Sequence, residues 1–242
     1  PALLLAVTLP ACDDPKIDAK PELAPSAAPG ATPKSDEPPP GPCNTSGTAS
    51  VELGSTPGHV YGFATDAHHV YYTSWQTLTH RGDLGKARKD GGGRVNLGSL
   101  TLEPRGLVVD ARQVLYTAGI RLMSISKEGG EAKVHAETFS SQSIASDGTY
   151  VYGVPGDYGP YDRLIRAPKA GGPTYELDVS ERPETKDKPE GFSAIAVDSQ
   201  GIYVTDSSAG RVLRFPLERG KPKSLATKQE KPYDLALNDA NV

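Results

Sequence analysis

The chain has few cysteines, a single methionine and no excess of basic residues. Its 242 residues include two cysteines, one methionine and one tryptophan, and Asp and Glu (30) outnumber Lys and Arg (26). A net charge of -4 excludes the basic footprint of a nucleic-acid-binding protein. No apolar run approaches the roughly 20 residues of a membrane-spanning helix. Gly-x-Ser-x-Gly, phosphate-loop and His-Glu-x-x-His motifs are absent, which excludes three common enzyme signatures.

Glycine and proline, by contrast, are abundant. The chain has 26 Gly and 22 Pro, and few segments show helical periodicity with caps. This composition predicts an all-β chain rich in turns. The only methionine is Met123, and the chain opens inside an apolar run at residues 2–9. We therefore expect it to be a fragment of a longer protein, truncated at both ends.

The opening run has the length of the hydrophobic region of a signal peptide. It ends in Leu9-Pro10-Ala11-Cys12, which resembles the lipobox of bacterial lipoproteins. The resemblance implies cleavage after Ala11 and lipid attachment at Cys12. We therefore expect residues 1–11 to be a signal-peptide remnant. The membrane partner is then reached through the acyl chains, and the protein is anchored in a bacterial cell envelope, facing the periplasm or the exterior.

Residues 12–48 combine the predicted lipidated Cys12 with a Pro-rich segment. Residues 13–48 hold nine of the 22 prolines and almost no large apolar side chains. Such a segment cannot bury enough surface to offset its ordering entropy, so it is predicted to be a disordered tether reaching up to about 100 Å. If Cys12 is acylated, Cys43 has no partner in this chain. A disulfide with a cysteine elsewhere in a longer protein and a free thiol both remain open.

An internal repeat organises residues 49–242. In each copy an apolar run ends at Asp or Asn, and a β-branched residue follows four positions later. The anchors are spaced by 44, 37, 51 and 40 residues, and they are Asp66, Asp110, Asp147, Asp198 and Asn238.

A second element repeats in step with the first. Lys89, Lys127 and Lys169 each begin a Lys-x-Gly-Gly turn, and Leu217-Glu218-Arg219-Gly220 is a looser copy. Each unit is therefore predicted to contain four short antiparallel strands, which is typical of a β-propeller blade. We predict about four blades and the start of a fifth. Residues 51–55 resemble a fourth strand and are expected to complete a last blade beyond Val242.

Two phrases of the repeat resemble those of bacterial six-bladed propellers of the TolB-like and NHL-like kind. Residues 104–110 match Pro-x-Gly-Ile-Ala-Val-Asp, and residues 211–216 match Arg-Val-x-Arg-x-Pro. The resemblance implies a ring of six blades when complete. It implies no particular function, because this fold hosts binding scaffolds, lactonases and lyases alike.

Most repeated residues are predicted to be structural. The anchor aspartates start turns by accepting hydrogen bonds from their own backbone. The second-strand tyrosines fill the space between neighbouring blades. The lysines of the Gly-Gly turns are expected to be solvated. No metal site and no cofactor is predicted.

Residues that interrupt the repeat are better candidates for a site, because loops on a rigid scaffold concentrate binding residues. The connections between second and third strands differ from blade to blade and should lie on one face. The predicted ligand-binding residues there are Trp75, His80, Asp83, Tyr158, Tyr161 and Asp206.

These features favour a non-enzymatic binding or protein-interaction scaffold tethered to the cell envelope. The alternative is a metal-dependent lactonase or lyase with its site in the central channel, similar to gluconolactonase-type propellers. Those enzymes need a Glu on the first inner strand, whereas the corresponding residues 58–62 contain none.

Overall fold

The structure is a computed structural model that describes residues 3–7, 51–56, 58–155, 163–177, 191–218 and 220–237. Within these ranges every regular element is a β-strand, which confirms the predicted all-β class, and there is no helix that could cross a membrane. Cys12, the tether, Cys43 and the fifth anchor Asn238 lie outside the described residues. The lipid anchor, the tether and the fifth blade therefore stay predictions.

Four sheets of four antiparallel strands follow one another along the chain, each a simple meander. Blade 1 contains β3 (His59–Thr65), β4 (His69–Gln76), β5 (Arg81–Arg88) and β6 (Val95–Leu100). Blade 2 contains β7 (Pro104–Val109), β8 (Gln113–Ala118), β9 (Arg121–Ser126) and β10 (Lys133–Ala136). Blade 3 contains β11 (Ser143–Ser146), β12 (Tyr150–Val154), β13 (Leu164–Pro168) and β14 (Tyr175–Leu177). Blade 4 contains β15 (Phe192–Asp198), β16 (Gly201–Asp206), β17 (Arg211–Phe215) and β18 (Lys223–Ala226).

A separate two-stranded sheet precedes the blades. β1 (Leu3–Val7) pairs antiparallel with β2 (Val51–Thr56). The sequence predicts a different partner for β2, namely the last blade of a closed ring. In the structure the apolar run at Leu3–Val7 occupies the edge of β2 instead.

The anchor aspartates turn the chain between the first and second strand of each blade. Oδ1 of Asp66 accepts hydrogen bonds from the backbone N–H of His68 (3.0 Å) and His69 (2.9 Å). Asp110, Asp147 and Asp198 bond the N–H groups two and three residues on in the same way. The predicted turn role is confirmed for these four residues.

The lysines of the Gly-Gly turns join neighbouring blades. Nζ of Lys127, in blade 2, lies 2.7 Å from Oδ2 of Asp66 in blade 1. Nζ of Lys169, in blade 3, lies 2.7 Å from Oδ2 of Asp110 in blade 2. Both lysine side chains are only 16% exposed, so the prediction that these two lysines are solvated is wrong. The Gly-Gly turn of one blade lies beside the Asp turn of the blade before it, which brings the two charges together.

Three apolar clusters fill the three junctions between blades. The junction of blades 1 and 2 buries Tyr71 and Tyr116, and that of blades 3 and 4 buries Tyr152. The cluster between blades 2 and 3 is aliphatic apart from Phe139. Each fully buried large apolar side chain contributes about 1.5–3 kcal/mol. The predicted packing role of the second-strand tyrosines is confirmed for these three residues.

The first strands of successive blades lie against one another, and those of blades 1 and 2 carry glycine where they approach the next blade. A Cβ placed on Gly62 would lie 2.8 Å from the carbonyl oxygen of Arg105 in the next blade. A Cβ on Gly106 would lie 3.0 Å from two side-chain carbons of Ile144. Glycine at this position therefore allows the close approach of the inner strands at these two junctions.

Candidate functional site

Trp75 does not belong to a binding loop. It lies in β4, its side chain is 5% exposed, and it packs in the cluster between blades 1 and 2. The hairpin of β4 and β5 is longer than expected, because the paired residues continue to Gln76 opposite Arg81. This extension keeps Trp75 inside the sheet. The prediction that Trp75 lies on a loop is therefore wrong, whereas its contact with a ligand stays a prediction.

His80 and Asp83 do not converge with Trp75. His80 lies in the exposed hairpin turn with φ of 50°. Asp83 lies in β5 opposite Ser74, so its side chain is on the other face of the sheet from Trp75. Its Oδ1 accepts a hydrogen bond from Nδ2 of Asn96 at 2.9 Å. The three residues therefore do not form one site.

Asp206 stabilises the hairpin of blade 4. It is 6% exposed and accepts hydrogen bonds from Nη2 of Arg211 (2.6 Å), Oγ of Ser208 (2.8 Å) and the backbone N–H of Ala209 (3.0 Å). Burial opposes ionisation of this carboxyl, but the bonds from Arg211, Ser208 and Ala209 outweigh it and lower its pKa. Its hydrogen bonds therefore serve the fold. Tyr158 and Tyr161 lie outside the described residues and stay predictions.

The structure points instead to residues at irregularities of the first strands. The register of the first strand shifts between Val60 and Gly62 in blade 1 and between Pro104 and Leu107 in blade 2. Such bulges re-aim side chains and are frequent next to functional sites. Tyr61 and Arg105 occupy the shifted positions. They stand at the same point of the repeat, yet they differ in chemistry.

Tyr61 and Arg105 belong to one polar group with Thr77 and Glu103, here named the Tyr61–Arg105 cluster. The Glu103 and Thr77 side chains lie near the Tyr61 hydroxyl and act on its pKa in opposite directions, Glu103 raising it and Thr77 lowering it. Oε2 of Glu103 lies 3.8 Å from Nη2 of Arg105. Burial and the negative charge of Glu103 raise the pKa of the Tyr61 phenol above its ordinary value.

Exposed apolar side chains surround this cluster. Leu78, at the tip of the β4–β5 hairpin, is 98% exposed, and Ile120, at the tip of the β8–β9 hairpin, is 53% exposed. Leu102, in the segment that links blades 1 and 2, is also exposed. The exposed side chains adjoin the Tyr61–Arg105 cluster. Thr77 of the cluster directly precedes Leu78, and the N–H of Gly119, the residue before Ile120, donates to the carbonyl of Glu103 at 3.0 Å. We name this surface the hairpin face.

The sequence contains a signal for this surface. The residue before the inner-strand glycine, or its equivalent, differs in chemistry between blades, as Tyr61, Arg105 and Ser193 show. Among the described residues, no group of three or more His, Cys, Asp or Glu is placed to hold a metal ion.

Comparisons with known proteins address the fold. No family model and no curated protein matches the chain. It is similar to a chain of the nidogen/laminin complex, with 17% identity and a TM-score of 0.56 over 76% of this chain and 69% of that one. It is also similar to BamB from Moraxella catarrhalis, with 13% identity and a TM-score of 0.50 over 78% of this chain and 58% of that one.

A third solved structure is a glucose dehydrogenase-type oxidoreductase from Thermus thermophilus. It shares 12% identity with a TM-score of 0.55 over 79% of this chain and 80% of that one. At these identities the likeness concerns the fold alone. Together with the four consecutive four-stranded sheets, it shows that the chain has a β-propeller fold.

Proposed function

We propose that this protein is a non-enzymatic propeller scaffold that binds another protein through its hairpin face and is tethered to a bacterial cell envelope by a lipid on Cys12. The observation that carries the proposal is the exposure of Leu78 (98%) and Ile120 (53%) at the tips of successive hairpins. Contiguous exposed apolar side chains on a rigid scaffold are characteristic of interaction surfaces.

The chemistry of the hairpin face supports a protein partner. Protein interfaces combine an apolar centre with polar groups that form hydrogen bonds. Here Leu78, Leu102 and Ile120 supply apolar contacts, and the Tyr61–Arg105 cluster supplies a phenol, a carboxylate and a guanidinium. Tyr and Arg are among the residues that contribute most to binding energy at interfaces.

The proposed lipid anchor and Pro-rich segment would place the propeller at the cell envelope. The lipobox-like residues 9–12 would place acyl chains on Cys12, and the Pro-rich segment would carry the propeller up to about 100 Å from the membrane. The resemblance to TolB-like and NHL-like propellers supports a ring of six blades in the complete protein. An anchored, extended scaffold suits a role in recruiting partners at the envelope.

Affinity capture with the envelope fraction of the source bacterium tests the binding face. We expect the wild-type chain to retain a protein that the variant Leu78→Asp/Ile120→Asp does not retain, because buried charges oppose an apolar interface. Leu225→Asp is the matched control, since Leu225 is also exposed but lies on an outer strand of blade 4. Equal retention by all three proteins would refute the hairpin face as the binding surface.

Mass spectrometry of the protein expressed with its leader tests the anchor. We expect diacylglyceryl modification at Cys12 and loss of membrane association in Cys12→Ala. Cys43→Ala is the control and should remain in the membrane fraction. An unmodified Cys12 in the mature protein would refute the tether.

A further inference from the structure

The junction between blades 3 and 4 differs from the other two. The position of Lys127 and Lys169 in the repeat is taken by Leu217 in blade 4, and Leu217 packs against the apolar cluster of this junction. Asp147 accepts its side-chain hydrogen bond from Tyr152 in its own blade, at 2.8 Å. Among the described residues, this junction therefore lacks the lysine–aspartate pair that closes the other two.

A cleft of about 220 Å³ lies at this junction. Leu177 of blade 3 and Phe215 and Leu217 of blade 4 form apolar walls, and Arg166 and Glu176 add charged groups. A cleft of this size suits a small organic molecule rather than a large cofactor.

Arg166 gives the cleft a cationic wall. Its guanidinium carbon lies 4.6 Å from the centre of the Tyr150 ring. Its Nε is buried and has no hydrogen-bond partner among the described residues. A buried N–H without a partner is unfavourable, and a carboxylate is the group that guanidinium binds best.

The acidic residues of the cleft do not neutralise the positive charge of Arg166. Oε2 of Glu176 is 2.7 Å from Nη1 of Arg163, so its charge is already compensated. Glu218 is exposed to solvent. An apolar body with one anionic group therefore matches the cleft better than a neutral or cationic molecule.

We propose that this cleft binds a small amphipathic monocarboxylate, with its apolar part against Leu177, Phe215 and Leu217 and its carboxylate on Arg166. The site goes beyond the proposed protein-binding function. It lies at a different junction from the hairpin face and takes a different class of ligand. It exists because blade 4 carries leucine where two other blades carry the lysine that closes the junction.

Phenylacetate is a suitable probe, because it combines one ring with one carboxylate. We expect ligand-observed NMR to give a dissociation constant on the order of 0.1–1 mM for the wild-type chain. Arg166→Gln should weaken binding by about tenfold or more, since it removes the charged partner. Phenethylamine, which carries a cation at the same place, should bind much more weakly. Arg121→Gln is the matched control, because Arg121 lies in blade 2 outside the cleft.

Leu217→Lys tests the origin of the cleft. It restores the residue that pairs with the anchor Asp at the other two junctions, and we expect it to abolish phenylacetate binding while the fold is retained. Circular dichroism and the melting temperature establish whether each variant is folded. If Leu217→Lys does not fold, the loss of phenylacetate binding in Arg166→Gln still tests the proposed site. Absence of binding up to about 10 mM, equal binding by Arg166→Gln, or equal binding of phenethylamine would overturn the proposal.

Discussion

The ion pair between Lys169 and Asp110 should contribute measurably to stability, and its contribution should depend on pH. The two charged atoms are 2.7 Å apart, and the side chains are 16% and 22% exposed. Burial alone would raise the pKa of Asp110, but Lys169 and the backbone N–H groups of Arg112 and Gln113 outweigh it and lower the pKa to about 2. The degree of burial of this pair is therefore intermediate between that of an exposed salt bridge and that of a buried one.

The magnitude follows from this shift. A carboxyl whose pKa falls from 3.8 to about 2 stabilises the folded state by roughly 1–2 kcal/mol at neutral pH, after allowance for solvent screening. Because the folded-state pKa is depressed, this stability is fully present above about pH 4 and is lost as the pH falls toward 2. Lys169→Met removes the charge and keeps most of the apolar stem.

Urea unfolding at several pH values measures the effect. We expect Lys169→Met to lower the free energy of unfolding by about 1 kcal/mol at pH 7, which is a part of the total because the backbone N–H bonds to Asp110 remain. The difference from wild type should shrink steadily below about pH 4. Lys133→Met is the control, because Lys133 is exposed and has no salt-bridge partner among the described residues. The prediction would be wrong if the unfolding free energies of variant and wild type were equal at pH 7, or if they differed by the same amount at pH 7 and near pH 3.

Three further substitutions or measurements test the packing. The fluorescence of Trp75, the only tryptophan, should be blue-shifted and poorly quenched by iodide; emission typical of exposed indole would contradict its burial. Gly62→Ala should lower stability by about 1–3 kcal/mol in thermal unfolding, because the new Cβ meets a backbone oxygen of the next blade, while Gly148→Ala, with open space around it, should not. Asp206→Asn should destabilise by about 2 kcal/mol, since it leaves the largely buried Arg211 without its carboxylate; a neutral result in urea unfolding would argue against that pair.

Local chemistry made much of the fold predictable. The turn at each anchor depends on an Asp side chain and two backbone N–H groups within three residues, so it can be inferred from sequence alone. The spacing of these anchors then implies repeated sheets. The pairing of Lys127 with Asp66 could not be inferred in this way, because the two residues are 61 positions apart and meet only when blades stack.

The candidate site was less predictable for two physical reasons. The repeat pattern places Trp75 on a loop because sequence does not show how far a hairpin continues, and here the ladder runs on to Gln76. The sequence shows that the position of Tyr61 and Arg105 varies between blades, but it does not show that the strand register shifts there, because bulges are backbone irregularities that no residue type announces. The cleft at Leu217 has a sequence signal, namely the one turn that departs from Lys-x-Gly-Gly. The sequence does not show that this change leaves a cleft, because the cleft forms only where blades 3 and 4 pack against each other.

Site-specific photo-crosslinking in living cells tests the central claim most directly. A photoreactive amino acid at position 78 or 120 of the tethered protein reports what touches the hairpin face, and one at position 225 reports what touches an outer strand. We expect a discrete protein adduct from positions 78 and 120 and none from position 225. Adducts that are the same at all three positions, or absent from positions 78 and 120, would contradict the central claim.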